Sequence, residues 1–403
     1  MLRNRFGLHV SDSRRSAGPV ARPGIGVAVA LAALLLPAAP LSATRASSPA
    51  PHGATAVLPG ITYENVTLFP VVTSSRIDTS GFLTLDQGLA SGDVVVREMG
   101  NMILRRTPDG RPAPMSGGSD EVNRLVLVNR GKKPLLLIAG ELVSGGKQDR
   151  IIAKDRIVAP GGEPLPLDVF CVEHGRWAGS VQFNASKVIV HPSVREQAVV
   201  VQSQVKVWES VREGTMASAG GVAGGVVGGV VGGRPEAPPP TISARVVGGV
   251  METVAPTESY AKVYRESRIG RSVDAFADEL DRRFRRALGT GKAGRLVGVV
   301  VAYGGEVAWS DVFASNELLE QYWSKLLRSY VTEALARPAT TERAGLEAAK
   351  EFLEPLRGRE QVESEPDVYR WRQTTEGTRV EIDLQALPAG LDLHTVTIRR
   401  TGA

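Results

Sequence analysis

Cysteine is almost missing: Cys171 is the only one in 403 residues. No intramolecular disulfide can form, so the fold has to stand on packing. Cys171 lies in the apolar string PLDVFCVE, the setting of a buried, inert thiol rather than of a nucleophile. Aromatic residues are only 5% of the chain, too few for a stacking surface that would hold single-stranded nucleic acid. A strong charge of one sign is also lacking once the first 43 residues are set aside. Those carry five arginines and one acid, and what remains holds 43 bases and 42 acids, so the basic pI near 9.4 says nothing about a nucleic-acid partner. The motifs GxSxG, HExxH and CxxC do not occur, which removes the common signatures of serine hydrolases, zinc hydrolases and dithiol or metal-thiolate sites.

What is present begins with a leader. A basic stretch ends at Arg22, thirteen apolar residues run from Gly24 to Leu36, and small residues follow in PAAPLSA. This is the order of an export signal, and the apolar run falls short of the roughly 20 residues that span a bilayer. Residues 1–43 are expected to be an export signal cleaved after Ala43, with Ala46 as the alternative and an uncleaved anchor as the competing interpretation. Arg14-Arg15 suggests a twin-arginine route, but SAGP follows where an apolar pair is usual, so the general and twin-arginine routes both stay open. The expected address is extracytoplasmic, periplasmic or secreted, with no stable membrane span after cleavage.

The rest divides by composition. Residues 44–60 read as a flexible tether rich in Ser, Ala and Pro. Residues 61–213 read as a β-rich region ending in an amphipathic helix. Its strand candidates are ITYENVTLFPVV, GDVVVREM, EVNRLVLVN, PLLLIAGEL, DRIIAKDRIV and PLDVFCVE, which are short and β-branched and are broken by NRGKKP, SGGK and PGGEP. No helix-length segments separate them, so an antiparallel sandwich or barrel-like double sheet is expected rather than βαβ units. Val194, Ala198, Val201, Val205, Trp208 and Val211 fall at helical spacing. Residues 214–240, with GGVAGGVVGGVVGG and RPEAPPP, read as a Gly/Val- and Pro-rich linker or insertion. Residues 241–403 read as a mixed helix and strand region, with packing on the first region left open. They hold a helix over Val273–Leu288 stopped by Gly289, a hairpin turning at Gly304-Gly305, and a helix capped by Ser315 that ends ahead of Pro338. A helix over about 341–358 follows, then strands near 368–372, 380–384 and 394–398. The fold class is α+β.

Two stretches carry candidate chemistry. AGELVSGGKQDRIIAKD (residues 139–155) leaves an apolar strand and holds Glu141, Gly145, Gly146, Lys147, Gln148, Asp149, Arg150 and Asp155. Glycines at a strand end let backbone N–H groups approach an anion, yet the register is not that of GxxxxGK[ST], because Glu141 and Gln148 stand where Gly and Ser or Thr are required. GTGKAG at residues 289–294 fails likewise, which disfavours a nucleotide triphosphatase. Glu141 at the rim of an apolar strand is expected to be raised in pKa or paired with Lys147 or Arg150; the ordinary alternative is a solvated hairpin tip. The second stretch, FCVEHGRW, crowds Glu173, His174, Arg176 and Trp177 at a strand end, and His191 follows in VIVHPSVRE. Adjacent Glu173 and His174 point to opposite faces, and two histidines without ligand spacing assign no metal. The alternative has His191 capping a helix entry and His174 on a surface turn.

The segments FLTLDQGLASGDVVVREMG, VNRLVLVNRGKKPLLLIAGELVSGGKQDRIIAKDRIVAPG, PLDVFCVEHGRW and HPSVREQAVVVQSQVKVWESV together resemble the ARG and rhodanese-phosphatase-superfamily-associated protein domain, where ARG stands for ADP-ribosylglycohydrolase. AGELVSGGKQDR is the most specific element. The resemblance implies a role beside enzymes that process ADP-ribose or phosphorylated compounds, and it implies no activity. The export signal and the Gly-Val stretch depart from the family pattern.

The resulting expectation is an exported, non-catalytic α+β protein that binds a small anionic ligand or a protein partner. Gly145, Gly146, Lys147, Gln148, Asp149, Arg150, Asp155, Arg176 and Trp177 would contact the ligand. The alternative is a hydrolase on anionic or nucleotide-like small molecules, with catalytic candidates Glu141, Glu173, His174 and His191. A third interpretation is a structural envelope protein. No cofactor and no metal are assigned.

Overall fold

The computed structural model of the chain describes residues 55–99, 103–106, 112–115, 123–173, 182–218, 260, 267–289, 294–338 and 340–401. The expected export signal, most of the tether, residues 219–259 of the Gly/Val/Pro stretch and its continuation, and His174, Arg176 and Trp177 lie outside them.

Two β-systems face each other across a helix. The larger is a nine-stranded antiparallel sheet in which strand Val66–Thr73, from the N-terminal part of the sequence, pairs with Arg295–Tyr303 from the C-terminal part. The order continues through Glu306–Phe313, Leu391–Arg399, Arg379–Ala386 and Tyr369–Glu376 to the edge strand Arg359–Glu365. The stretches 61–213 and 241–403 therefore share one sheet. Thr55–Val57, inside the segment read as a tether, pairs along Val71–Thr73 at the opposite edge.

The smaller system is built from strands Val94–Glu98, Arg124–Asn129, Glu141–Gly145, Arg150–Ile152, Leu165–Cys171 and Phe183–Ile189. An antiparallel bridge between Arg97 and Gln182 joins its two edges, so the sheet curls into a nearly closed barrel. Alternate residues point inward: Val94, Val96, Leu125, Leu127, Val143, Ile152, Leu167, Val169 and Phe183 fill the interior. A three-stranded sheet, Leu83–Thr84, Leu135–Leu137 and Arg156–Val158, sits beside it.

Among the described residues six α-helices complete the class as α+β. Helix α1 (Leu85–Ser91) carries a capping box of Thr84 and Gln87 and ends at Gly92 in the left-handed region. Helix α2 (Pro192–Glu196) runs into a π turn over Gln197–Val201, and α3 (Gln204–Ser218) follows. The periodicity of residues 193–213 predicted one continuous helix. Instead Gln202 takes a positive φ of 53°, which resets the phase and leaves Val201 and Val205 exposed. Helix α3 also runs five residues into the stretch read as a linker. Helix α4 (Ser267–Leu288) buries Val273, Phe276, Leu280 and Phe284 on one face, and the amide of Gly289 closes it on the Arg285 carbonyl. In α5 (Asn316–Ala336) the Ser315 hydroxyl accepts the Leu318 amide, as an N-cap should. Helix α6 (Leu346–Phe352) is shorter than the expected 341–358 and covers the outer face of the large sheet. The main core lies between that sheet and α4 and α5, and takes in Leu136 and Ile157 from the three-stranded sheet and Ile138 just beyond it. Among the described residues no helix is long and apolar enough to cross a membrane.

Candidate functional site

The most specific stretch of the sequence begins in the interior. Glu141 opens its strand at 1% exposure. Its Oε1 accepts a hydrogen bond from Lys325 Nζ at 2.7 Å, and its Oε2 accepts the Ile138 amide at 2.9 Å. Lys325, on α5, lies 3.0 Å from Asp86 at the start of α1. The base beside Glu141 is thus Lys325 and not Lys147 or Arg150, which lie close in sequence but on the far side of the Gly145-Gly146 turn. Burial raises the Glu141 pKa and Lys325 opposes that rise. The three charges tie α1, the barrel and α5 together, with no open space at the carboxylate.

Asp155 joins a second interior network. Its Oδ1 accepts the Ala139 amide at 2.7 Å and its Oδ2 meets His394 Nδ1 at 2.5 Å. The other ring nitrogen of His394 is 3.0 Å from Asp311 Oδ1. Arg195 grips Asp311 with both terminal nitrogens, at 2.8 and 2.9 Å, and the Trp309 indole and Tyr330 hydroxyl also donate to it. Arg195 and the protonated ring of His394 hold the Asp311 carboxyl far below the usual range, against its burial. Asp155 and Asp311 in turn push His394 up to about 9. These side chains are all buried; they join the barrel, α2 and the large sheet. Sequence reasoning did not single out Lys325, Arg195, Asp311 or His394, because the charged groups hydrogen-bonded to them in these pairs lie more than 80 residues away along the chain.

One mouth of the barrel gathers the rest. Glu98 ends the strand Val94–Glu98 and, two residues beyond the inward Val96, projects into the interior; it is fully buried. By the same alternation Arg150 follows the side of Ile152, and Cys171 that of Val169. Arg150 and Cys171 pair directly in the ladder. Arg150, Glu98 and Glu173 all act electrostatically on the Cys171 thiol, whose burial pushes it up to about 11, so the thiol is inert at neutral pH, as its apolar setting suggested. The loop between the strands is held by these acids. Glu98 Oε1 accepts the Lys147 amide at 2.6 Å, Asp149 Oδ1 accepts the Gly145 amide at 3.2 Å, and Glu173 Oε2 accepts the Asp149 amide at 3.1 Å. Gly146 has a positive φ of 53°, and a Cβ there would strike the Phe183 ring and come within 2.6 Å of Glu98 Oε1. Only glycine lets the loop close over the mouth.

Glu98 Oε2 is buried and has no hydrogen-bond partner among the described residues. Glu98 was absent from the sequence-derived candidates, although its inward position could be read from the alternation in VVVRE. Gly145, Gly146, Lys147, Gln148, Asp149, Arg150 and Glu173 do come together here, whereas Glu141 and Asp155 belong to the interior networks. His191 lies elsewhere, at the N-cap position of α2. Its side chain makes no cap bond and faces Tyr260, with Nδ1 2.8 Å from the phenol oxygen. Among the described residues, no group of three or more His, Cys, Asp or Glu side chains is placed to hold a metal.

Comparison with curated proteins finds no match, and neither does comparison with solved structures. A family model matches residues 55–390, a span that contains the barrel with its mouth and every strand of the large sheet except Leu391–Arg399. On that span the chain belongs to the ARPP-1 family, the ARG and Rhodanese-Phosphatase-superfamily-associated Protein domain.

Proposed function

We propose that the protein is a non-catalytic binding protein whose site is the barrel mouth formed by Glu98, the Gly145–Arg150 loop and Glu173. The observation that carries this is the orphan oxygen of Glu98. A buried acceptor left without a donor costs about 1–3 kcal/mol, and a ligand hydroxyl or amine would supply the missing donor. Arg150 and Lys147 flank the same mouth and suit an anionic group on that ligand. A small molecule with hydroxyls at one end and a phosphate or carboxylate at the other fits the pair, and the family's association with ADP-ribose chemistry agrees with that class. The hydrolase alternative is less well supported. Of its candidate bases, Glu141 is locked between Lys325 and the Ile138 amide, and Glu173 Oε2 already accepts the Asp149 amide.

Glu98→Gln tests the proposal. It keeps size but removes the charge and one acceptor. With ADP-ribose, AMP and ribose 5-phosphate as probes, at least one should raise the melting temperature of the wild type. Glu98→Gln should lose that rise while melting no lower than wild type in the absence of probe. Equal rises in both proteins would reject the site.

The export leader supports a further part of the proposal, that the mature chain starts near Thr44 outside the cytoplasm. Amino-terminal sequencing of native protein should find that start; a soluble cytoplasmic chain beginning at Met1 would overturn it.

A further inference from the structure

A small cleft of about 60 Å³ lies where the barrel region meets the edge of the large sheet. Lys154, Arg156 and Asp168 line one side, and Glu363, Tyr369 and Trp371 line the other. The space takes a group of a few heavy atoms. Contacts across it brace its walls. Lys154 Nζ stands 4.7 Å from the centre of the Trp371 ring, and the Arg156 guanidinium stands 5.8 Å from that of Tyr369.

The charges of the cleft are already matched. Lys154 meets Glu363 at 2.5 Å, and Arg156 Nη2 meets Glu365 at 3.2 Å. The Asp168 side chain is 75% exposed and lies 3.5 Å from Arg124. A free ion would have to displace one of these pairs, so the cleft suits an uncharged occupant.

Two donors are left over. Trp371 is 1% exposed, and its Nε1 is buried without a hydrogen-bond partner among the described residues; the same holds for Arg156 Nε. An indole N–H and a guanidinium Nε–H are donors only, with no tautomer that would turn either into an acceptor. Both need an acceptor, and a buried donor left without one is destabilising. A carbonyl oxygen has two lone pairs and can accept from both. Glu363 stands directly opposite Trp371 in the strand ladder, and a carboxylate has acceptor sites beyond the one that Lys154 uses.

We propose that this cleft binds an uncharged carboxamide, whose oxygen accepts Trp371 Nε1–H and Arg156 Nε–H while its N–H₂ donates to Glu363. A carboxylate of the same shape is rejected, because it would set a second negative charge against Glu363. A free small amide and the side chain of Asn or Gln in a peptide share this chemistry. The cleft is separate from the barrel mouth, and its proposal stands or falls independently of that site.

The test uses the full chain labelled with ¹⁵N, with acetamide as probe and acetate as its charged counterpart at constant ionic strength. The indole N–H NMR signals of the five tryptophans are followed, that of Trp371 being assigned by its loss in Trp371→Phe. Acetamide should shift the Trp371 signal saturably downfield, and acetate should leave it in place. N-acetylglutamine amide distinguishes the sources: tighter binding than acetamide assigns the cleft to a peptide side chain, weaker binding to a free amide. Arg156→Lys keeps a charge for Glu365 but removes the Nε donor, and should weaken acetamide binding about tenfold, the size of one hydrogen bond to a charged group. An unmoved Trp371 signal, which would leave the cleft to water, an equal response to acetate, or wild-type affinity in Arg156→Lys would overturn the proposal.

Discussion

Glu141 and Glu98 are both buried carboxylates in the same barrel, and their surroundings give them opposite roles. Both Glu141 oxygens are satisfied, one by a lysine that also serves Asp86. Breaking a buried pair costs about 3–5 kcal/mol when the other charge is left uncompensated, and because Lys325 would keep Asp86 at 3.0 Å the loss here belongs at the lower end. Glu141→Gln should therefore lower stability by about 3 kcal/mol in urea denaturation and leave any probe binding at the mouth unchanged. A stable variant that had lost binding would put the site at Glu141. Glu98 keeps an oxygen without a donor, so the matching change there should cost almost nothing in stability and act on binding alone.

Helix α5 is the element that holds the two β-systems together. Its buried face meets the large sheet through Tyr322, Leu326 and Tyr330, and Lys325 and Ser329 reach back to the barrel at Glu141 and the Val190 carbonyl. Its start depends on one hydroxyl: Ser315 Oγ accepts the Leu318 amide at 3.0 Å and lies 2.6 Å from the Thr79 hydroxyl. Losing an N-cap typically costs about 0.5–2 kcal/mol. Ser315→Ala should lie at the upper end, about 2 kcal/mol by thermal or urea unfolding, because the buried Thr79 hydroxyl also loses its partner. A change within a few tenths would mean that the cap is redundant. At the edge of the large sheet, Arg359–Glu365 shows how an element survives with its side chains mostly exposed. The strand pairs fully with Tyr369–Glu376 on one side, and its charges discourage a further strand on the other. Lys154 and Arg156 meet its Glu363 and Glu365.

Across the whole molecule, the network through His394 makes stability depend on pH. The folded pKa is about 9 and the ordinary histidine value is 6.5, so folding favours the protonated ring. Its contribution is fully present below about pH 6.5 and is lost as pH rises through about 9. The difference corresponds to about 3 kcal/mol. Stability measured by urea unfolding should fall across that window, and the His394 ring signal should titrate near pH 9 in the folded protein. A ring that titrates near 6.5 would show that Asp155 and Asp311 do not share its charge.

Local pattern alone determined much of this protein. Alternating β-branched runs gave the barrel strands, the 273–276–280–284 spacing gave α4, Ser315 gave the start of α5, and Gly304-Gly305 gave the hairpin, because each is enforced by neighbours within a few residues. The loop Gly145–Arg150 and the strand end at Glu173 were legible as two separate polar stretches, and the pairing of strands brought them together. Tertiary structure decided what the charges do. Glu141 found Lys325 184 residues away, and Asp155 found His394 239 residues away. A buried charge takes whichever partner the fold delivers, whatever its distance along the chain. The edge strand 359–365 was hidden for a related reason: its side chains bury almost nothing, so it has no hydrophobic period, and its place is set by the backbone of the strand beside it. Glu98 lies between the two cases. Its inward face follows from the alternation that precedes it, but only the closed barrel shows that one of its oxygens is left without a donor.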